Sequence, residues 1–269
     1  MTRVLHSELR LAKRMARLGT ETAFEVLVKA RALEAKGRDI VHLEIGEPDF
    51  DTPGNIIEAA TDALRKGFTH YGPAAGLPQL RETIAQYVSK TRGVNATAEE
   101  VVVVPGGKPI IFFTILALVE EGDDVIYPNP GFPIYESMIN YVGAGAVPIR
   151  LREEMDFRLD VDELGGLIND RTKLIILNSP QNPTGGVLTK NDIDGIARAI
   201  GDRDIMVLSD EIYSRLIFEG GLGAETRHAL GEAEFDGLTH DAKSVSNRAF
   251  SLRDHNKPNT EVRSVFPSS

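Results

Sequence analysis

Five short apolar runs punctuate the middle of this chain: VVVV at 101–104, DVIY at 124–127, AVPIRL at 146–151, KLIILN at 173–178 and IMVLSD at 205–210. Each is too short for a typical helix, and most are rich in β-branched residues. Helix-like segments lie between them: KPIIFFTILALVEEG, FPIYESMINYVG, DVDELGGLIND and DIDGIARAIG. Continuous apolar runs alternating with helices predict an α/β fold, a mostly parallel sheet covered by helices on both faces. Upstream, TETAFEVLVKARALEAKGRD reads as a long helix, with Thr20 or Thr22 as its cap and Gly37 as its stop. LPQLRETIAQYVSKTRG reads as another, with Pro78 in its first turn and Gly93 just past its end.

The strand-end loops carry the chemistry, because ligands of open α/β sheets bind at the C-terminal edge of the strands. NSPQNPTGG, from Asn178 to Gly186, leaves KLIILN and spends nine residues on prolines, amides and glycines before the next helix. Proline fixes the backbone, glycine permits unusual dihedrals, and amides bring donors and acceptors together. PGGKPI, after the first run, opens a helix whose free amides favour an anion such as phosphate. It is not a Walker motif, since Pro109 stands where Ser or Thr would be required. LSDEIY ends the last run with Asp210, which alone reads as a solvated acid or a helix cap. A phosphate cradle, an amide-rich loop and a strand-end acid on one edge fit a ligand with a phosphate at one end and a basic ring nitrogen at the other. GAGAVP at 143–148 lacks a third glycine and precedes a strand, so it is no dinucleotide fingerprint. Histidines 6, 42, 70, 228, 240 and 255 are scattered without metal-ligand spacing.

Six ordered stretches, LEIGEPDFDTP, HYGPAAGLPQLRETIA, PGGKPIIFF, YPNPGFPIYES, NSPQNPTGG and LSDEIYSRLIFEG, resemble successive motifs of the class I/II aminotransferases. These are pyridoxal 5′-phosphate enzymes of the aspartate aminotransferase fold family, and the likeness covers roughly residues 5–219. The resemblance implies the large domain of a fold type I transferase, incomplete at its C-terminal side. It also implies transfer of an amino group between an amino acid and a 2-oxo acid. On that reading Asn182 and Tyr213 bond the cofactor's phenolic oxygen and Asp210 pairs with its pyridine nitrogen. Phe132 stacks on the ring, while Gly106, Gly107 and Lys108 meet the phosphate. Gly46 lies where the substrate carboxylate approaches, and Tyr71 reaches the phosphate of a neighbouring subunit, implying a homodimer. Each has a plainer reading: turn residues for Asn182 and Gly46, core aromatics for Phe132 and Tyr213, surface side chains for Lys108 and Tyr71.

The tail departs from the family. Its cofactor-bearing lysine, in a Ser-x-Ser-Lys or similar motif, and its later glycine–arginine motif are not found. Lys243 in HDAKSVSN, 33 residues after Asp210, is the candidate by distance, yet its neighbours differ from the motif. From Gly220 to Ser269 the chain has no Ile, Met or Tyr and no strand-length apolar run, the composition of a disordered segment. The expected organisation is an N-terminal helical arm with part of a small domain (1–45), a partial pyridoxal-phosphate-binding domain (46–219) and a divergent tail (220–269). The alternatives are an inactive truncated fragment that at most binds cofactor or a partner subunit, or a lyase or synthase of the same fold.

Composition bounds the setting. A net charge of −10 argues against nucleic acid or an anionic membrane as partner, and the absence of cysteine excludes disulfides and thiolate chemistry. No apolar run is long enough to span a bilayer. The basic start, MTRVLHSELRLAKRMARLG, suits an amphipathic helix or a transit peptide. A cytoplasmic location is the expectation.

Overall fold

The computed structural model describes residues 10–19, 22–46 and 50–217. Four of the five apolar runs form strands, β1 (Asp124–Asn129), β2 (Gly145–Arg150), β3 (Thr172–Asn178) and β4 (Met206–Asp210). They make one all-parallel sheet in the order β2-β1-β3-β4. The chain passes outward from β1 to β2, then returns to β3 on the other side of β1 and continues to β4. The reversal between β1 and β3 is the kind of switch point where α/β sheets open a crevice at the strand C-termini.

Seven helices surround or precede the sheet among the described residues: α1 (Thr22–Glu34), α2 (Gly54–Arg65), α3 (Pro78–Arg92), α4 (Lys108–Leu118), α5 (Ile134–Val142), α6 (Val161–Leu167) and α7 (Lys190–Ile200). Strand alternation sorts the core into two layers. Val125, Tyr127, Leu174 and Ile176 point to one face, where they pack with Ile111 and Ile115 of α4 and Tyr135, Met138 and Ile139 of α5. Ile126, Ile175, Leu177 and Val207 point to the other, against Leu164 of α6 and Ile196 and Ile200 of α7. Both faces are therefore covered, as the continuous apolar runs predict. Pro148 of β2 lies on a strand that pairs with β1 alone among the described residues, where the lost ladder donor is tolerated.

Local signals set the helix ends. Asp160 caps α6 by accepting from the N–H groups of Asp162 and Glu163 at 3.0 and 3.2 Å. Thr189 and Asp192 form a reciprocal capping box at the start of α7. Pro78 and Gly93 bound α3 as the sequence indicates. The helix over TETAFEVLVKARALEAKGRD ends at Glu34 and turns through Gly37. Thr22 is the first residue of α1, and Thr20 lies outside the described residues.

Two expectations are corrected. The run VVVV at 101–104 is extended but is no strand of the sheet. No described strand runs beside it; instead Val103 N–H donates to Ala75 O at 2.9 Å and Arg81 Nε donates to Val101 O at 2.8 Å. Val102 accordingly remains 58% exposed. The PGGKPI turn thus follows an unpaired extended segment. The second correction is α2, a helix the strand–helix pattern does not single out; it buries no residue. At the far edge, β4 pairs with β3 alone among the described residues.

Packing differences translate into stability. Ile175→Ala, at a fully buried site between β1 and β4, is expected to cost about 2–5 kcal/mol. Ile57→Ala on the exposed α2 should stay within roughly 0.5 kcal/mol. Denaturant unfolding of both variants against the parent checks the contrast.

Candidate functional site

The register of β3 and β4 sets Asn178 opposite Asp210, the last residue of each strand. The Asn178 side chain is buried and used at both ends. Its Nδ2 donates to the Asp210 backbone carbonyl at 2.9 Å, and its Oδ1 accepts from the Asn182 N–H at 2.8 Å. One amide therefore ties the strand-end acid to the amide-rich loop. Asp210 O also accepts from Ser179 N–H at 3.3 Å.

The loop itself is held from inside. Gln181, 5% exposed, donates through Nε2 to Pro130 O at 2.8 Å. Its Oε1 accepts from Thr184 N–H and Oγ1 at 2.9 and 2.6 Å. Its own backbone bonds Gly185 and Gly186 at 2.8 Å each. Gln181 thereby joins the loop after β3 to the loop after β1. Three peptide bonds in these two loops, before Pro130, Pro180 and Pro183, are cis.

The loop after β1 turns at Gly131, where an added Cβ would stand 2.2 Å from Pro128 O, so no other residue fits without a backbone shift. This turn delivers Phe132, whose ring meets Tyr135 edge-on at 5.9 Å between centroids. Tyr135 is fully buried, and its hydroxyl donates to Asp210 Oδ2 at 2.6 Å. Burial first, then the bond to the Asp210 carboxylate, raises the Tyr135 pKa far above the ordinary value, so the phenol keeps its proton and acts as donor. The other Asp210 oxygen accepts from Ile212 N–H at 3.3 Å. No cation among the described residues is ion-paired with Asp210.

Gly106, with φ of +88°, bends the chain into α4, and Gly107 caps it. In the first helical turn Pro109 has no N–H, and Ile110 N–H donates to Gly107 O at 3.1 Å. Lys108 begins this helix, with Nζ 6.0 Å from the Phe132 ring centroid and 5.6 Å from that of Phe24. On the opposite flank α3 holds the segment beyond Asp210: Arg92 pairs with Glu211, and Arg215 donates to the Tyr87 hydroxyl at 2.7 Å. Tyr213 sits in the turn between them, half-buried.

Phe132, Asp210 and Asn182 are thus linked through Tyr135 and Asn178, Lys108 stands with its Nζ 6.0 Å from the Phe132 ring centroid, and Tyr213 follows Asp210 by three residues. Tyr135, Asn178 and Gln181, which complete the connection, are not singled out by sequence reasoning. A signal was present: Asn178 and Gln181 flank Asn182 in the amide-rich loop, and Tyr135 follows Phe132 by three residues, one helical turn. Two expected residues are not brought into this cluster. Gly46 is exposed in an extended stretch, with nothing within 4 Å of an added Cβ. Tyr71 is fully exposed and lines an open depression with Phe68, His70 and Leu77. Lys243 lies outside the described residues. No helix among the described residues is long and apolar enough to cross a membrane.

Comparison with known proteins shows the family. The family model described as "Aminotransferase class I and II" matches residues 38–246. The probable aspartate/prephenate aminotransferase of Aquifex aeolicus is 35% identical over 247 residues, 92% of this chain and 60% of that protein. The aspartate aminotransferase of Pyrococcus abyssi is 42% identical over 183 residues, 68% of this chain and 47% of that protein. Among solved structures, the Thermus thermophilus aspartate aminotransferase with maleate superposes with a TM-score of 0.75 at 38% identity, covering 79% of this chain and 56% of that one. The alanine aminotransferase of Pyrococcus furiosus gives 0.74 at 34% identity, covering 78% and 54%. The chain spans about half the length of the relatives it matches.

The buried phenols give a pH prediction. Burial first, then the nearby Glu136 carboxylate, pushes Tyr127 up to about 12, and Tyr135 is raised as well. A raised folded-state pKa favours the neutral phenol, so this stabilisation is fully present below about pH 10 and is lost as pH rises toward 12. Phenolate absorbance titration should find Tyr127 and Tyr135 silent until the fold opens. Tyr135→Phe should remove part of the late-titrating signal.

Proposed function

We propose that this chain, which belongs to the class I and II aminotransferase family, forms the pyridoxal-phosphate-holding side of a site that moves an amino group between an amino acid and a 2-oxo acid. The observation that carries the reading is the joining of Asp210 and Asn182 through one buried amide at the sheet edge. When bound, pyridoxal phosphate supplies a protonated ring that draws electrons from the substrate α-carbon. The residues present fit that group. Asp210, with no cation of its own among the described residues, is the carboxylate to hold a proton on the ring nitrogen in a charge-assisted bond. The side chains of Asn182 and Tyr213 make no hydrogen bond to a described residue, leaving both for the phenolic oxygen. Phe132 offers an apolar ring held edge-on by Tyr135. The start of α4, with Gly106, Gly107 and Lys108, is assigned to the phosphate.

The finer parts of the proposal follow from the same family. Tyr71, fully exposed, is assigned to the phosphate of a neighbouring subunit in a cytoplasmic homodimer. Gly46 is assigned to the approach of the substrate carboxylate. Aspartate is the amino donor to test first, because several relatives carry that name. The domain limits are proposed at 1–45, 46–219 and 220–269. A second reading, cofactor binding without turnover, is favoured by one observation: residues 220–269 contain no Ser-x-Ser-Lys motif, and Lys243 stands in unlike neighbours.

Asp210→Ala and Asn182→Ala should each weaken pyridoxal phosphate binding about tenfold or more, the scale of losing a charge-assisted or buried hydrogen bond. Equilibrium titration of cofactor absorbance checks this, and parent-like binding by both variants would remove the site assignment. Borohydride reduction separates the two readings. A lysine outside the Ser-x-Ser-Lys setting forgoes the roughly 7–11 kcal/mol that positioning can supply, so scattered labelling and negligible turnover of aspartate are expected. A single pyridoxyl adduct at Lys243, lost together with amino transfer in Lys243→Ala, would establish turnover instead.

A further inference from the structure

We infer that Asn178 is a positioning residue that sets the spacing between the acid and the amide of the site. The inference rests on the reading that this edge holds a pyridine ring between Asp210 and Asn182. Asn178 touches neither ring contact through its side-chain atoms; it acts on the backbone that carries them. By holding the Asp210 carbonyl, its Nδ2 directs the peptide that leads into the turn bearing Tyr213. By holding the Asn182 N–H, its Oδ1 directs the peptide just before the Asn182 side chain. The side chain is 5% exposed, so water does not offer a ready substitute for either bond.

The chemistry restricts the position to a two-ended group. A carboxamide donates from nitrogen and accepts at oxygen on one short rigid plane. An aspartate there would still accept from Asn182 N–H but would set a carboxylate oxygen against the Asp210 carbonyl. Alanine would release both. Glutamine has the same head on a longer stem and cannot bridge the same two backbone groups from the last position of β3. The two bonds converge on the strand pair whose register sets residue 178 against residue 210, so the spacing is measured across a fixed ladder.

The test uses the full chain, with pyridoxamine 5′-phosphate as ring probe and inorganic phosphate as control. Pyridoxamine phosphate carries no aldehyde, so its binding does not depend on a lysine. The phosphate control reports the start of α4, which Asn178 does not touch. Asn178→Ala should weaken pyridoxamine phosphate about tenfold or more, the scale of losing one to two buried hydrogen bonds, with phosphate binding unchanged. Asn178→Asp should also weaken the probe, and the ring-nitrogen ¹⁵N resonance of the bound ligand should move toward the unprotonated position. Parent-like binding and ¹⁵N shift in both variants would overturn the positioning role while leaving the site reading intact. Loss of phosphate binding alongside the probe would overturn it in favour of a general structural role. Failure of the parent to bind the probe would overturn the site reading, and this inference with it.

Discussion

Five paired positions between β3 and β4, ending with Asn178 opposite Asp210, organise this molecule's chemistry. The ladder fixes where β4 stops relative to β3, and the two loops inherit that alignment. Everything that follows at the edge is then a matter of short polar links. Asn178 reaches forward to the acid strand and back to the Asn182 loop, Gln181 ties that loop to the turn after β1, and Tyr135 closes the ring by bonding Asp210 from beneath. Backbone amides and carbonyls that leave a sheet edge must find partners, and here side chains of the same strand ends provide several of them.

The two faces of the sheet contribute differently. The α6–α7 face, with Leu164, Ile196 and Ile200, is apolar packing, and Leu151, Leu159 and Leu177 of the same cluster line a small cavity with Asn178 and Gln181. The α4–α5 face builds core and site together, since Tyr135 is at once among the most buried side chains and the phenol that contacts Asp210. A tyrosine in that position offers an apolar ring to Phe132 and one polar atom to the edge. Burial keeps its proton in place, which makes it a donor toward the acid.

Much of this was legible in the sequence, for physical reasons. Runs such as KLIILN announce strands buried on both faces because both of their side-chain sets are apolar, and β3 is buried at six of its seven positions. Pro78 and Gly93 mark a helix because one lacks a donor and the other accepts a left-handed dihedral. Asp210 stood out because it ends a strand, while Asn182 and Phe132 lie in loops that follow strands and took their expected roles from the family resemblance. VVVV at 101–104 looked like its neighbours, but strand formation needs a partner, and apolar composition alone does not supply one. Asn178 and Gln181 were hidden for the opposite reason: their bonds run to backbone groups brought close only by folding, and a lone amide in a loop does not announce what it will hold.

The alternation of side chains along β4 carries a consequence for how such a chain can change in length. Inserting or deleting one residue within Met206–Asp210 would exchange its two faces, moving Val207 out of the α7 core and turning the Asp210 position over as well. The same change in the connection at 201–204, on the opposite edge of the sheet, would leave the ladder in register. For this strand, a one-residue change of length keeps the register only on the side of the sheet that faces away from the chemistry.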